Sequence, residues 1–139
     1  MRKILSFLFF VAASASLAQL HAQAIVIANP SIKGDSISKS VLRDVYTGTI
    51  TKLADGSHLR PVFLKDEALR AEFVKGKLGA SEIMIITGWR KLVFAGQGTM
   101  PKEFDSEAAV VEYVAHTPGA IGYVRAATPH EGVKVLELN

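Results

Sequence analysis

Outside its apolar N-terminal segment the chain carries three histidines, His58, His116 and His130, and no cysteine. A zinc site asks for ligands at His-x-x-x-His or comparable spacing, whereas these three stand far apart, two in loops and one at a helix end. They read as solvated histidines, and His116 has an ordinary helix-dipole reason for its place. The carboxylate pairs Asp66/Glu67 and Glu103/Asp105 have no visible means of separating their pKa values, which takes an apolar pocket or a close like-charge partner. Acids in the first turn of a helix are explained by the helix itself. Without cysteine there is no thiolate nucleophile, thiolate metal site or disulfide. No Gly-x-Ser-x-Gly elbow is present, and spacing singles out no serine beside a histidine. Gly96-Gln97-Gly98-Thr99, with Lys102 close behind, could turn backbone N–H groups toward an anion. It lacks the Gly-x-x-x-x-Gly-Lys-Ser/Thr spacing of a phosphate-cradling loop, and an ordinary loop is the simpler reading. These residue types predict a non-enzymatic protein with no cofactor and no metal.

The elements that would position such residues must fit in 139 residues, which allows one small domain. Met1-Arg2-Lys3 followed by Ile4 to Leu20 has the charge, apolar run and small residues of a secretory signal. A membrane anchor would want about 20 apolar residues without the serines and Gln19 that interrupt this run. Small residues at the minus three and minus one positions are offered by Ser16-Leu17-Ala18 and by Ala22-Gln23-Ala24. The second is preferred because a strand begins next, giving a signal peptide over 1–24 and a domain over 25–139. The periplasm is the expected compartment, with no membrane span after cleavage. The formal charge of +3 falls to +1 without Arg2 and Lys3. Lysine and arginine do not cluster as phosphate-backbone binding requires, so nucleic acid is not an expected partner.

Ile25-Val26-Ile27 is a β-branched run closed by Asn29-Pro30 and suits a strand covered on both faces, as in a parallel sheet. Ser36 or Ser38 can cap a helix bearing Leu42, Val45 and Tyr46 on one face, with Gly48 past its end. Asp55-Gly56 marks a turn. Leu59 to Leu64 reads as a strand whose Pro61 puts its start at an edge or entry position. Asp66 to Leu78 carries its acids in the first turn, Lys75 and Lys77 in the last, and Gly79 after it, the pattern of a helix. Ser81 caps a further helix through Phe94, although Ile83 to Ile86 and Gly88 leave a strand open. Gly96 to Pro101 is loop. Asp105-Ser106 opens a helix with Val110, Tyr113 and Val114 inward. Ala120 to Val124 is a strand in which Gly122 permits close approach of a neighbouring backbone, and Val133 to Leu138 is a last edge strand. The aromatic residues Phe63, Phe73, Trp89, Phe94, Phe104, Tyr113 and Tyr123 stand at core-facing spacings. Alternating strands and helices without repeats make a small α/β layered domain.

Several phrases, in order, resemble the phosphate-type substrate-binding proteins of bacterial ABC transporters. They are Ile25 to Pro30, Leu42-Arg43-Asp44-Val45-Tyr46-Thr47-Gly48, Asp55-Gly56 with Arg60-Pro61-Val62, Phe73 with Leu78-Gly79, Trp89, Gly96-Gln97-Gly98, and Thr117 to Val124. The resemblance implies a single lobe of a type II periplasmic-binding-protein-like fold, with a small mixed or parallel sheet flanked by helices. Two such lobes close on the ligand in that family, so half the cleft is missing here. The family also places an Arg after the Pro-Val strand and a Ser-Gly-Thr at the next helix start, where hydroxyls and free N–H groups hold the anion. Read without gaps, those positions are Leu64 and Ala68-Leu69-Arg70. Lys65 and Arg70 are the remaining candidate ligand-binding residues, for phosphate or another small anion held weakly. An alternative use of the scaffold is a periplasmic protein–protein interaction module whose open face docks a protein partner or a second copy as a homodimer.

Overall fold

The computed structural model describes residues 23–139; the signal expected over 1–24 lies outside them except for its last two residues. Five strands form one sheet: β1 (Ala24–Ala28), β2 (Ser36–Ile37), β3 (Arg60–Pro61), β6 (Ala120–Arg125) and β7 (Lys134–Leu138), in the order β2-β7-β1-β6-β3. Two short strands, β4 (Phe63–Leu64) and β5 (Glu103–Phe104), pair separately. The helices are α1 (Lys39–Tyr46), α2 (Glu67–Ala71), α3 (Glu82–Phe94) and α4 (Glu107–His116).

The sheet is mixed. β1 runs antiparallel to both neighbours, Val26 facing Tyr123 on β6 and Leu136 on β7, while β2–β7 and β3–β6 are parallel pairs. The continuous apolar run of β1 therefore reports burial on both faces, which a central antiparallel strand under helices shares with a parallel one. β7 is not an edge strand: the two-residue β2 covers its outer side. Leu59 to Leu64 does not form one strand but changes partners at Val62. Val62 N–H donates to Ile121 and Phe63 N–H to Lys102 on the other side.

Alternate residues of β6 feed opposite layers. Gly122 faces α4, where an added Cβ would stand 2.8 Å from Val110 Cγ1 and 3.3 Å from Val114 Cγ2. Side chains of a helix, not a neighbouring backbone, are what this glycine admits. Tyr123 faces the other way, stacked on Phe73 at 3.9 Å between ring centroids with Phe63 and Tyr46 edge-on around them. The Tyr46 hydroxyl donates toward the Val62 and Ile121 carbonyls, and the Tyr123 hydroxyl accepts from Leu64 N–H. Burial pushes the Tyr123 phenol up to about 12 and Tyr46 well above its ordinary value. Both hydroxyls thus stay protonated and neutral in the core.

The helix expected over 66–78 is α-helical only to Ala71 and continues as a π-helix over Glu72–Lys77. The wider turn lets Leu78 N–H reach Phe73 O and keeps Phe73, Val74 and Leu78 all buried. Residues 82–94 are helix, and Gly88 has a packing reason: its Cβ would lie 2.0 Å from the Thr47 carbonyl oxygen at the end of α1. Phe63, Phe73, Trp89 and Tyr123 are core residues as expected, and Phe104 and Tyr113 pack against the core. Phe94 is the exception, 89% exposed at the last position of α3.

Candidate functional site

β3, β4 and β5 all point the same way, so the segments leaving them form one edge of the domain and the segments entering them form the other. The exit edge carries the positions expected to matter. Asp66 caps α2 by accepting from Leu69 N–H at 3.0 Å, and Arg125 reaches the same carboxylate at 3.3 Å. That Leu69 N–H bond, then Arg125, holds the Asp66 carboxyl below its ordinary value. Arg125 also pairs with Glu107 at 2.8 Å. Lys65, exposed, pairs with Asp105 at 3.1 Å.

Arg70 is more enclosed. Its Nε and Nη2 donate to the two oxygens of Glu82 at 2.8 and 3.0 Å, and Nη1 donates to Glu103 at 3.0 Å. The guanidinium carbon lies 4.3 Å from the centre of the Phe63 ring. Burial alone would lower its pKa, and the Glu82 and Glu103 carboxylates outweigh that and raise it. Three cations on this edge are thus matched by five carboxylates of the same chain. Leu64 and Leu69 are buried in the core, while Ala68 is exposed.

The entry edge is built differently. A pocket of about 270 Å³ opens between the 58–62 segment and the loop 97–102, with Trp89 and Tyr113 on its inner wall. Three basic side chains, His58, Arg60 and Lys102, line it together with Thr51, Gln97 and Thr99, and no carboxylate does. Lys102 Nζ stands 5.0 Å over the Tyr113 ring. The Trp89 indole N–H donates to Tyr46 O at 2.8 Å, which fixes the ring in place. Gly48, with φ of +79°, and Gly98 both lie against Trp89, in contact distances that a side chain would fill.

Lys65 and Arg70 thus reach the same edge, each already paired. The loop noted for its glycines is one wall of the pocket at the opposite edge. His58 lines that pocket, whereas His116 sits at the end of α4 beside Glu112 and His130 lies beside Thr128. Among the described residues no three His, Asp or Glu side chains gather as a metal site would require. No helix among them is long and apolar enough to cross a membrane. Sequence reading missed Arg125, Glu82 and Glu107 as partners, and Arg60 with Lys102 as neighbours. The last two stand 42 positions apart in the chain, and it is strand pairing that brings both to one pocket.

A mixed sheet with helices on both faces, and a core carried by its central strands, is the architecture of one lobe of a periplasmic-binding-protein-like fold. Solved structures of phosphate-binding proteins share it. One, a candidate phosphate ABC transporter substrate-binding protein from Clostridium perfringens with phosphate bound, superposes with a TM-score of 0.67 at 16% identity, over 84% of this chain and 44% of that one. An ABC-type phosphate transport receptor from Vibrio cholerae gives 0.64 at 14% identity, over 84% and 46%. PstS from Borrelia burgdorferi gives 0.65 at 17%, over 84% and 47%. The chain therefore spans less than half the length of these proteins, and the likeness at such identities establishes the fold. No family model and no curated protein matches the chain.

Proposed function

We propose that the chain is an exported, non-enzymatic, solute-binding-like lobe whose exit edge no longer serves as a phosphate seat. The observation that carries this reading is the self-neutralised edge. Where the resembling family uses an Arg and a Ser-Gly-Thr, Leu64 and Leu69 are core residues and Arg70 is held by Glu82 and Glu103. An arriving phosphate would meet Asp66 already seated on the Leu69 N–H and would have to displace carboxylates covalently tethered nearby. Lys65 and Arg70 could turn to an anion only by giving up the carboxylates they already hold, so any affinity there is millimolar or weaker. Calorimetry with inorganic phosphate at about 0.15 M salt tests this. A micromolar dissociation constant abolished by Arg70→Ala would overturn it.

Export rests on the order of charge, apolar run and small residues in positions 1–24. Ala24 is buried in β1 opposite Arg125, so cleavage after Ala18 keeps that strand whole and cleavage after Ala24 shortens it. The mass of the periplasmic protein distinguishes the two, and intact Met1 to Asn139 in the membrane fraction would contradict export. A second reading, an interaction module, is favoured by α3, whose Ile83 is 76% and Phe94 89% exposed. The occupant would be a second copy of the chain. Sedimentation over a hundredfold concentration range is its test, with Phe94→Asp expected to hold the protein monomeric; a constant monomer mass of the unaltered chain would sink it.

A further inference from the structure

We propose that the pocket at the entry edge binds a small organic anion: one carboxylate or phosphate group on a compact apolar body of about one ring. Charge comes first. Arg60 and Lys102 line the pocket from two segments that meet only through strand pairing, and among the described residues neither has a carboxylate partner. Beyond the other ends of these strands Lys65 and Arg70 are both neutralised. The contrast puts the unpaired positive charge of this region at the entry edge, where His58 adds a further donor and Thr51 and Thr99 add hydroxyls. An Arg and a Lys together suit a planar or tetrahedral oxyanion, the Arg through its paired N–H groups.

Size and lining then select the rest of the ligand. A cavity of about 150 Å³ holds a benzene ring, so about 270 Å³ accommodates one ring and its head group but not a drug-sized molecule. The inner wall is apolar, formed by buried Trp89 and Pro61 and the half-buried Tyr113 ring, with exposed Met100 at the rim. Trp89 is locked by its bond to Tyr46 O and by the two glycines against it, so this wall exists before a ligand arrives. Arg60 and Lys102 are exposed at the rim, where water and salt weaken charge attraction. A bare inorganic ion gains little there, whereas an apolar body reaching Trp89 adds burial. This selectivity is independent of whether the exit edge binds phosphate.

The chain has a single tryptophan, and it lines the pocket, so its emission reports occupancy directly. Phenyl phosphate titrated into the full domain should change Trp89 fluorescence saturably at submillimolar concentration. Inorganic phosphate and phenol should each bind at least roughly tenfold more weakly, a factor that corresponds to about 1.4 kcal/mol. Arg60→Ala/Lys102→Ala, substitutions at exposed positions, should raise the dissociation constant roughly tenfold or more with circular dichroism unchanged. Lys65→Ala, on the other edge, should leave it unaltered. The proposal is overturned by no saturable change with phenyl phosphate, by equal affinity for inorganic phosphate, by full affinity in the double variant, or by an equal loss in Lys65→Ala.

Discussion

The two ends of the β3–β5 strands hold nearly the same kinds of residue and use them in opposite ways. At the exit edge Lys65, Arg70 and Arg125 are each met by a carboxylate within 3.3 Å. At the entry edge Arg60 and Lys102 stand over an apolar wall with no acid among the lining residues. The exit edge has spent its charges on itself, while the entry edge keeps them available. Basic residues are therefore poor guides to anion binding until the acids around them are placed. In this chain the acids cluster after the strands because two helices start there, and helix starts favour Asp and Glu: Asp66 and Glu67 at α2, Asp105 and Glu107 at α4.

The contrast extends to what stabilises each end, and the sharpest way to break it is at Gly88. A Cβ there would overlap the Thr47 carbonyl, a backbone atom that moves only if α1 and α3 part. Gly88→Ala should cost about 1–3 kcal/mol or more as overpacking, and should red-shift the emission of the adjoining Trp89. Denaturant unfolding followed by that fluorescence measures both, and an unchanged midpoint would show that the helices separate freely. Tyr123→Phe comes next. It leaves the buried Leu64 N–H without its acceptor, worth about 1–3 kcal/mol, and its effect should appear in the unfolding midpoint without changing Trp89 emission in the folded protein. Smaller again is Arg125→Ala, which removes pairs to Asp66 and Glu107 that are partly exposed. The expected loss is about 0.2–1 kcal/mol per pair, and it should shrink in high salt; a loss insensitive to salt would point to packing of the arginine stem instead.

Much of the fold can be read from local pattern because local causes set it. Leu42, Val45 and Tyr46 lie on one face of α1 and are all buried, and Ser38, Ser81 and Ser106 cap their helices through their side-chain oxygens. Gly119, at the Thr117-Pro118-Gly119 turn, has φ of +80° and would place a Cβ 2.1 Å from His58 O. What local pattern misses is whatever depends on a distant partner. β2 and β5 are two residues each and exist only because β7 and β4 lie beside them. The direction of β1 is invisible because burial on both faces looks alike in parallel and antiparallel company. Phe94 has core-facing spacing, yet α3 ends there and no described residue covers it. The candidate site follows the same rule. Lys65 and Arg70 were identifiable as cations, but Glu82 and Glu103, which determine what Arg70 does, come from elements 12 and 33 positions away.

Acid titration gives the smallest effect and the finest separation of the two edges. The Asp66 carboxyl is held below its ordinary value by the Leu69 N–H and then by Arg125. A carboxyl whose folded pKa is depressed stabilises the fold above its unfolded value, about 3.9 for Asp, and that contribution fades as pH falls through the depressed value. Asp66→Asn keeps an oxygen able to accept from Leu69 N–H and removes only the charge. The variant should therefore unfold at lower denaturant than the natural chain near pH 6, and the two should converge as pH falls through the depressed value and Asp66 takes up its proton. Asp55, lowered by its bonds from Ser57, titrates in the same range but is common to both proteins and cancels in the difference. A difference that persisted unchanged at low pH would mean that the cap hydrogen bond or packing, not the charge shared with Arg125, is what Asp66 supplies to the exit edge. Convergence, with Trp89 emission the same in both proteins throughout, would show that the charge network at one end of the strands can be dismantled while the pocket at the other stays intact.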